Sequence, residues 1–236
     1  MTRIARTLMT TLLLGACGGS ASPATASTAP TSAATQAAAT PTSAASASAA
    51  TVSAASSTWT VGSASKAVVS VREQLVGVKL PSDAVLTATG GAGTFGLKSD
   101  GTFSADSKIT FDLGTLTSDN RDRDNFVKQD TLQTRQFPKA EFVPTKTSGL
   151  TLPLASNGTF TFTLTGNLTI HGKTKEVTFN VVAKRSGGDL TASATMAPTV
   201  KFGDFGMTAP SSPLRVLSIV DEIRLVVELA ATGSAP

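Results

Sequence analysis

The 236-residue chain contains no tyrosine and only one cysteine, Cys17, one histidine, His171, and one tryptophan, Trp59. A single histidine cannot build a multi-histidine metal centre, and no Gly-x-Ser-x-Gly accompanies it. His171 therefore reads as a turn residue with a structural hydrogen bond, and no metal is expected. A single cysteine closes no intramolecular disulfide, so folding must rest on apolar burial. Long apolar runs are also missing. The one at Leu8 to Leu14 is far shorter than the ~20 residues a spanning helix needs. Charge is absent altogether from Gly18 to Thr58. Elsewhere it is nearly balanced: the whole chain carries +4, and loss of Arg3 and Arg6 would leave +2. That is too little to argue for a nucleic-acid partner.

What the N-terminus does contain is Arg3 and Arg6, then the short apolar run, then the small residues Gly15 and Ala16 before Cys17. A basic start, a short apolar core and small residues before a cut site describe an export signal over residues 1–16. Leu14-Gly15-Ala16-Cys17 resembles the bacterial lipobox. The resemblance implies cleavage before Cys17, a diacylglycerol on its sulfur, and a protein anchored to a membrane on the extracytoplasmic side.

Residues 17–57 follow: after Cys17, Gly18 and Gly19 they are Ala, Ser, Thr and Pro with a lone Gln36 and Val52. They lack the large apolar groups that offset ordering entropy, and Pro23, Pro30 and Pro41 oppose a long alanine helix, so a disordered tether is expected. The folded unit is expected over 58–232, beginning near Trp59. Phe160, Phe162, Leu164, Leu168 and Ile170 alternate with threonines, and Val177, Phe179, Val181 and Ala183 resume the alternation beyond His171-Gly172-Lys173. Period two on both sides of a turn predicts a hairpin over Thr159–Arg185. Further strands are expected at Ala67–Val76, Gly93–Leu97, Phe103–Leu113, Ala140–Thr147, Leu190–Met196 and Ile219–Leu229. Ser118–Gln129, with a capping residue and early acids, predicts one short helix. The fold class is all-β, an antiparallel barrel or sandwich of about eight strands with one helical insertion.

Two motifs fail on context. Gly91-Ala92-Gly93-Thr94-Phe95-Gly96 spells the dinucleotide fingerprint but leads into a turn and another strand, not a helix. Asp119, Asp122 and Asp124 are interleaved with Arg121 and Arg123 and have no glycine at the sixth position, so salt bridges are expected there rather than calcium. No polar cluster that could serve catalysis is legible within the strands, and the protein is expected not to be an enzyme.

Leu168-Thr169-Ile170-His171-Gly172-Lys173-Thr174-Lys175-Glu176-Val177 resembles the central hairpin of the YceI-like family. Arg123-Asp124, Gln136 to Phe142 and Phe202-Gly203-Asp204-Phe205-Gly206 are similar to its helix, following strand and late turn, and Trp59 to its opening aromatic. The chain departs from the family at Ser63-Ala64-Ser65-Lys66, where a His-Ser pair is usual, and at Val200-Lys201, where Asn-Arg is usual. The resemblance implies an eight-stranded lipocalin-like barrel, found in periplasmic or secreted proteins, with an elongated apolar cavity for a polyisoprenoid or quinone-like lipid. It implies no other cofactor. Candidate cavity-lining residues are Ile109, Phe111, Phe160, Phe162, Leu164, Leu168, Val177, Phe179, Leu225 and Val227. Periodicity alone leaves a solid core open as the alternative, and with it a ligand-free surface interaction or display module. Oligomeric state is not legible.

Overall fold

The computed structural model describes residues 57–211 and 216–234. Cys17, the signal segment and the tether up to residue 56 lie outside the described residues. The strands are β1 (Ser57–Val61), β2 (Lys66–Leu75), β3 (Ser82–Thr89), β4 (Ala92–Leu97), β5 (Lys108–Asp112), β6 (Lys139–Ser148), β7 (Asn157–Ile170), β8 (Lys173–Ser186), β9 (Asp189–Met196) and β10 (Val216–Ser234). One short helix, α1 (Arg121–Phe126), lies between β5 and β6. Every pairing is antiparallel, within one sheet.

Ten strands make eight staves. β1 and β2 lie in succession along the same edge of β10, with Val61 opposite Ala231 and Lys66 opposite Glu228. β4 pairs with β1 and β3 with β2 in the same way. Each pair of short strands is therefore one long stave with a kink, and the sheet closes through β1–β10 into the ring β1-β4-β5-β6-β7-β8-β9-β10. Closure removes the unpaired edges an open sheet would expose. Ser65 holds the first kink. It is buried, and its hydroxyl donates to the Ala230 carbonyl (3.1 Å) and accepts from the Ala230 N–H (3.0 Å), replacing ladder bonds lost at the break. At the second kink Gly93 has φ +126°, and the Lys108 carbonyl fills the space of any Cβ. The glycine fingerprint is thus a bent strand in close contact with β5.

The structure moves several boundaries. β3 is a strand the alternation does not announce, because two of its inward residues are alanines, Ala84 and Ala88, while Val85 faces out. The expected strand from Phe103 is cut: Phe103 bridges Leu97, a turn follows at 104–107, and β5 starts at Lys108. β10 runs well beyond 219–229. The helix is shorter than expected because Asn120, not Ser118, is its cap. The Asn120 side chain accepts from the N–H groups of Asp122 (2.9 Å) and Arg123 (3.1 Å), while Ser118 donates from its hydroxyl to Asp124 (2.6 Å). A wide turn at Val127–Thr131 ends the helix, with the Leu132 N–H bonded to the Val127 carbonyl. The β7–β8 hairpin closes on two residues, His171 (φ 51°) and Gly172 (φ 70°), both left-handed as a twist-matched two-residue loop requires.

The two ends of the barrel differ. β1 begins and β10 finishes at one end, and that end is plugged. Trp59 is 1% exposed, stacks on Phe95 at 5.4 Å between centroids, and lies under the Arg185 guanidinium. Arg185 in turn donates to the carbonyls of Gly187 (2.9 Å) and Leu154 (3.1 Å), so its buried charge is solvated by backbone. The Trp59 ring fills the space a Cβ on Gly233 would take.

Candidate functional site: an apolar lumen opening beside the helix

Inward positions of the staves carry large residues opposite small ones. β7 contributes Phe160, Phe162 and Leu164, whereas β9 contributes Ala192 and Ala194 between Leu190 and Met196. Ala67, Ala88, Ala140 and Ala183 are the small inward residues of β2, β3, β6 and β8. A methyl group falls short of the barrel axis where a leucine would reach it, so the lumen of an eight-stranded barrel stays open. The result is a cavity of about 180 Å³ whose wall is apolar except for Glu141 and Thr147. Of the ten candidate residues, Ile109, Phe111, Phe160, Phe162, Leu164, Leu168, Phe179, Leu225 and Val227 stand in this wall. Val177 does not. It is buried opposite Gly166, and the Phe142 ring, packed on Gly166 and edge-on to Phe179, takes the space beside it. The sequence reading also missed Trp59, Phe95, Phe103 and Phe205, whose places in the wall follow from the register and not from alternation in their own segments.

A second, outer space of about 620 Å³ lies at the other end from Trp59, between α1, the β2–β3 turn and the start of β10. It shares Val69, Leu113, Leu116, Ile170 and Ile223 with the inner cavity. By itself it is within the ~300–1,000 Å³ typical of small-molecule sites. Here the wall turns polar. Glu73 occupies an inward position of β2, in phase with Val69, Val71 and Leu75, and its side chain is 6% exposed. The Arg123 guanidinium of α1 donates to it at 2.8 Å and also pairs with Asp119. One acid from a strand and one base from the helix thus meet at the inner edge of the outer space, an ion pair that the sequence reading did not single out. An acid on the apolar phase of a strand was the signal that could have found it. The Thr131 hydroxyl is buried in the same wall with no hydrogen-bond partner.

The remaining polar groups of this end tie the rim together. Asp83 is hydrogen-bonded by Arg224 (2.7 Å) and Arg72 (3.4 Å), chiefly the former, and its carboxyl is held below the ordinary carboxylate range. Asp204, in the turn Phe202–Phe205, is lowered likewise by Lys175 at 2.6 Å and by the Lys201 N–H. His171 places Nδ1 3.3 Å from the Phe205 carbonyl and lies edge-on to Phe137, the structural contact expected of it. Asp119 and Asp124 are engaged with Arg123 and Ser118, and among the described residues no group of three or more His, Cys, Asp or Glu could hold a metal ion.

Known proteins share this architecture. A UPF0312 protein of Pseudomonas putida (strain F1) is 34% identical over 133 residues, 51% of this chain and 66% of that protein. One of Pseudomonas fluorescens (strain SBW25) is 36% identical over 124 residues, 47% of this chain and 61% of that protein. The chain thus spans a little under two thirds of the length of these relatives. Among solved structures, a polyisoprenoid binding domain from Saccharophagus degradans superposes with a TM-score of 0.56, covering 75% of this chain and 98% of that one. At 13% identity this likeness establishes the fold alone. Residues 59–231, almost the whole ring of staves and both spaces inside it, match the YceI-like domain, and the chain belongs to that family.

Proposed function

We propose that this protein is a binding protein that holds one elongated apolar lipid, of the polyisoprenoid or quinone-like class, inside its barrel, and that a diacylated Cys17 anchors it to a membrane on the extracytoplasmic side. The observation that carries the reading is the lumen: alanines at inward positions of five strands keep an apolar cavity open behind an outer space with a partly polar wall. A chain-like molecule with one polar end matches that gradient. Its tail would run between Phe162, Leu164 and Phe179 toward Trp59. Its polar end would lie in the outer space, near the Thr131 hydroxyl and the Glu73–Arg123 pair. A ligand-free display module would have no use for such a cavity. The Saccharophagus domain, of the same fold, is a polyisoprenoid binding domain, which agrees with the ligand class.

Trp59 supplies the test. It is the only tryptophan and it lines the inner cavity. Titrating the delipidated protein with ubiquinone, whose ring quenches indole emission, should quench Trp59 saturably at one molecule per chain. A polyprenol should displace the quinone and restore emission. Quenching that rises linearly without saturation contradicts the proposal. For the anchor, Cys17→Ser should abolish lipidation and the cleavage that depends on it. A variant that still matures to the same mass contradicts the lipobox reading.

A further inference from the structure

We infer that the rim of the outer space is a bilayer-docking surface, which seats the open end of the barrel on a membrane. Eight large apolar side chains are exposed among the described residues, and six of them, Val76, Val78, Leu80, Phe126, Leu217 and Val220, belong to this one end. The register puts them together. Val76, Val78 and Leu80 form the β2–β3 turn, and Val216 at the start of β10 pairs with Leu75 at the end of β2. Val76, Val78 and Phe126 both line the outer space and reach solvent, so the exposed patch is continuous with the cavity wall. Scattered apolar residues need no explanation, but a cluster of them from three elements at the opening of an apolar cavity does.

The occupant is a bilayer because of what surrounds the apolar groups. The turn reads Gln74-Leu75-Val76-Gly77-Val78-Lys79-Leu80-Pro81, with a lysine between two exposed apolar residues and no acid. Lysine at such a place lays its stem along apolar surface and puts its ammonium among phosphates. The two acids that flank the turn in sequence are already engaged: Glu73 by Arg123 and Asp83 by Arg72 and Arg224. The length of the preceding chain permits the pose. β1 starts at the plugged end, opposite the rim. Thirty-nine residues separate Cys17 from Ser57, a stretch that spans at most about 140 Å when extended. The longest hairpin, β7–β8, has strands of 14 residues, about 46 Å. A chain anchored at Cys17 therefore has slack to turn its open end onto the same membrane. The geometry stands by itself, whereas its purpose, passing lipid between bilayer and lumen without exposure to water, rests on the carrier reading.

The test uses the chain from residue 17 onward with Cys17→Ser, so that neither an acyl group nor a second thiol is present. A single cysteine is placed by Leu80→Cys, or by Val182→Cys on the exposed outer face of β8, and labelled with a nitrobenzoxadiazole dye. With vesicles of phosphatidylcholine and phosphatidylglycerol, emission at position 80 should rise severalfold and shift to the blue, while position 182 stays as in buffer. Adding Leu217→Glu should lower vesicle binding by roughly tenfold or more. No change at position 80, an equal change at both positions, or a change that needs no vesicles and grows with protein concentration, as a second copy of this chain would give, overturns the inference. Native mass spectrometry of the same preparation separates the two claims. Bound lipid without a response at position 80 refutes docking and keeps the carrier. A response at position 80 with no lipid ever bound does the reverse.

Discussion

Leu164→Trp separates a ligand cavity from a merely loose core. Leu164 sits mid-strand on β7, opposite Phe179 of β8 and Thr147 of β6, with its side chain in the cavity wall. Void lined by apolar groups destabilises a fold by roughly 24 cal/mol per Å³, so the 180 Å³ here represents about 4 kcal/mol of packing the empty barrel forgoes. An indole at position 164 grows into that space. The overpacking cost of about 1–3 kcal/mol expected in a filled core should therefore be mostly absent. At roughly 2–4 °C per kcal/mol for a domain of this size, delipidated Leu164→Trp should melt within about 4 °C of the parent. Lipid carried through purification, by contrast, should fall to a small fraction. Leu164→Ala should cost about 2 kcal/mol, the low end of the usual range for leucine truncation, because one side of the residue already lacks partners. The assay is a pair: calorimetry of delipidated protein, and lipid extracted per mole of protein. A drop of about 10 °C in Leu164→Trp, with no lipid in parent or variant, would refute the reasoning and return the lumen to the status of a packed core.

Arg123→Ala leaves the Glu73 carboxylate inside the barrel without its partner. Arg123 is one-fifth exposed, so the loss should be about 2–3 kcal/mol by urea unfolding, below the range for fully buried pairs, and Glu73→Leu added to it should recover most of that. An unchanged midpoint for the single variant contradicts the pairing. Gly233→Ala forces a methyl group into the Trp59 ring and should cost about 1–3 kcal/mol while shifting Trp59 emission; unaltered emission contradicts the plugged end. Asp83 and Asp204 have folded-state pKa values below those of the unfolded chain. Their contribution to stability is thus fully present above the unfolded carboxylate value and lost as pH falls through the folded one. Melting temperature should be level from pH 7 to about 5 and decline below about 4, and Asp83→Asn with Asp204→Asn should shallow that decline.

Where one face of a strand is apolar and the other is mostly polar, as with the threonines of β7, the chain declares its fold. β7, β8 and the later part of β10 were legible for that reason, and so was the turn at His171-Gly172. β3 was not, because inward Ala84 and Ala88 and outward Val85 erase the contrast. The same small residues are what make the lumen hollow, so the feature that builds the site also hides it from a hydrophobicity pattern. Kinks at Ser65 and Gly93 turn eight staves into ten segments, and only pairing across the ring shows that the count of eight holds. Glu73 stands in phase with Val69 and Val71, a signal the sequence carries and the alternation reading passed over, and its meaning depends on Arg123, fifty residues away in a helix that the barrel alone positions.

The central claim is that the lumen holds a lipid, and native mass spectrometry of the protein purified from cells under mild conditions tests it most directly. The account predicts a population heavier than the polypeptide by the mass of one lipid, reduced to the bare mass by organic extraction and restored by adding polyprenol or quinone. A single species at the bare mass, unchanged after incubation with either lipid, contradicts it.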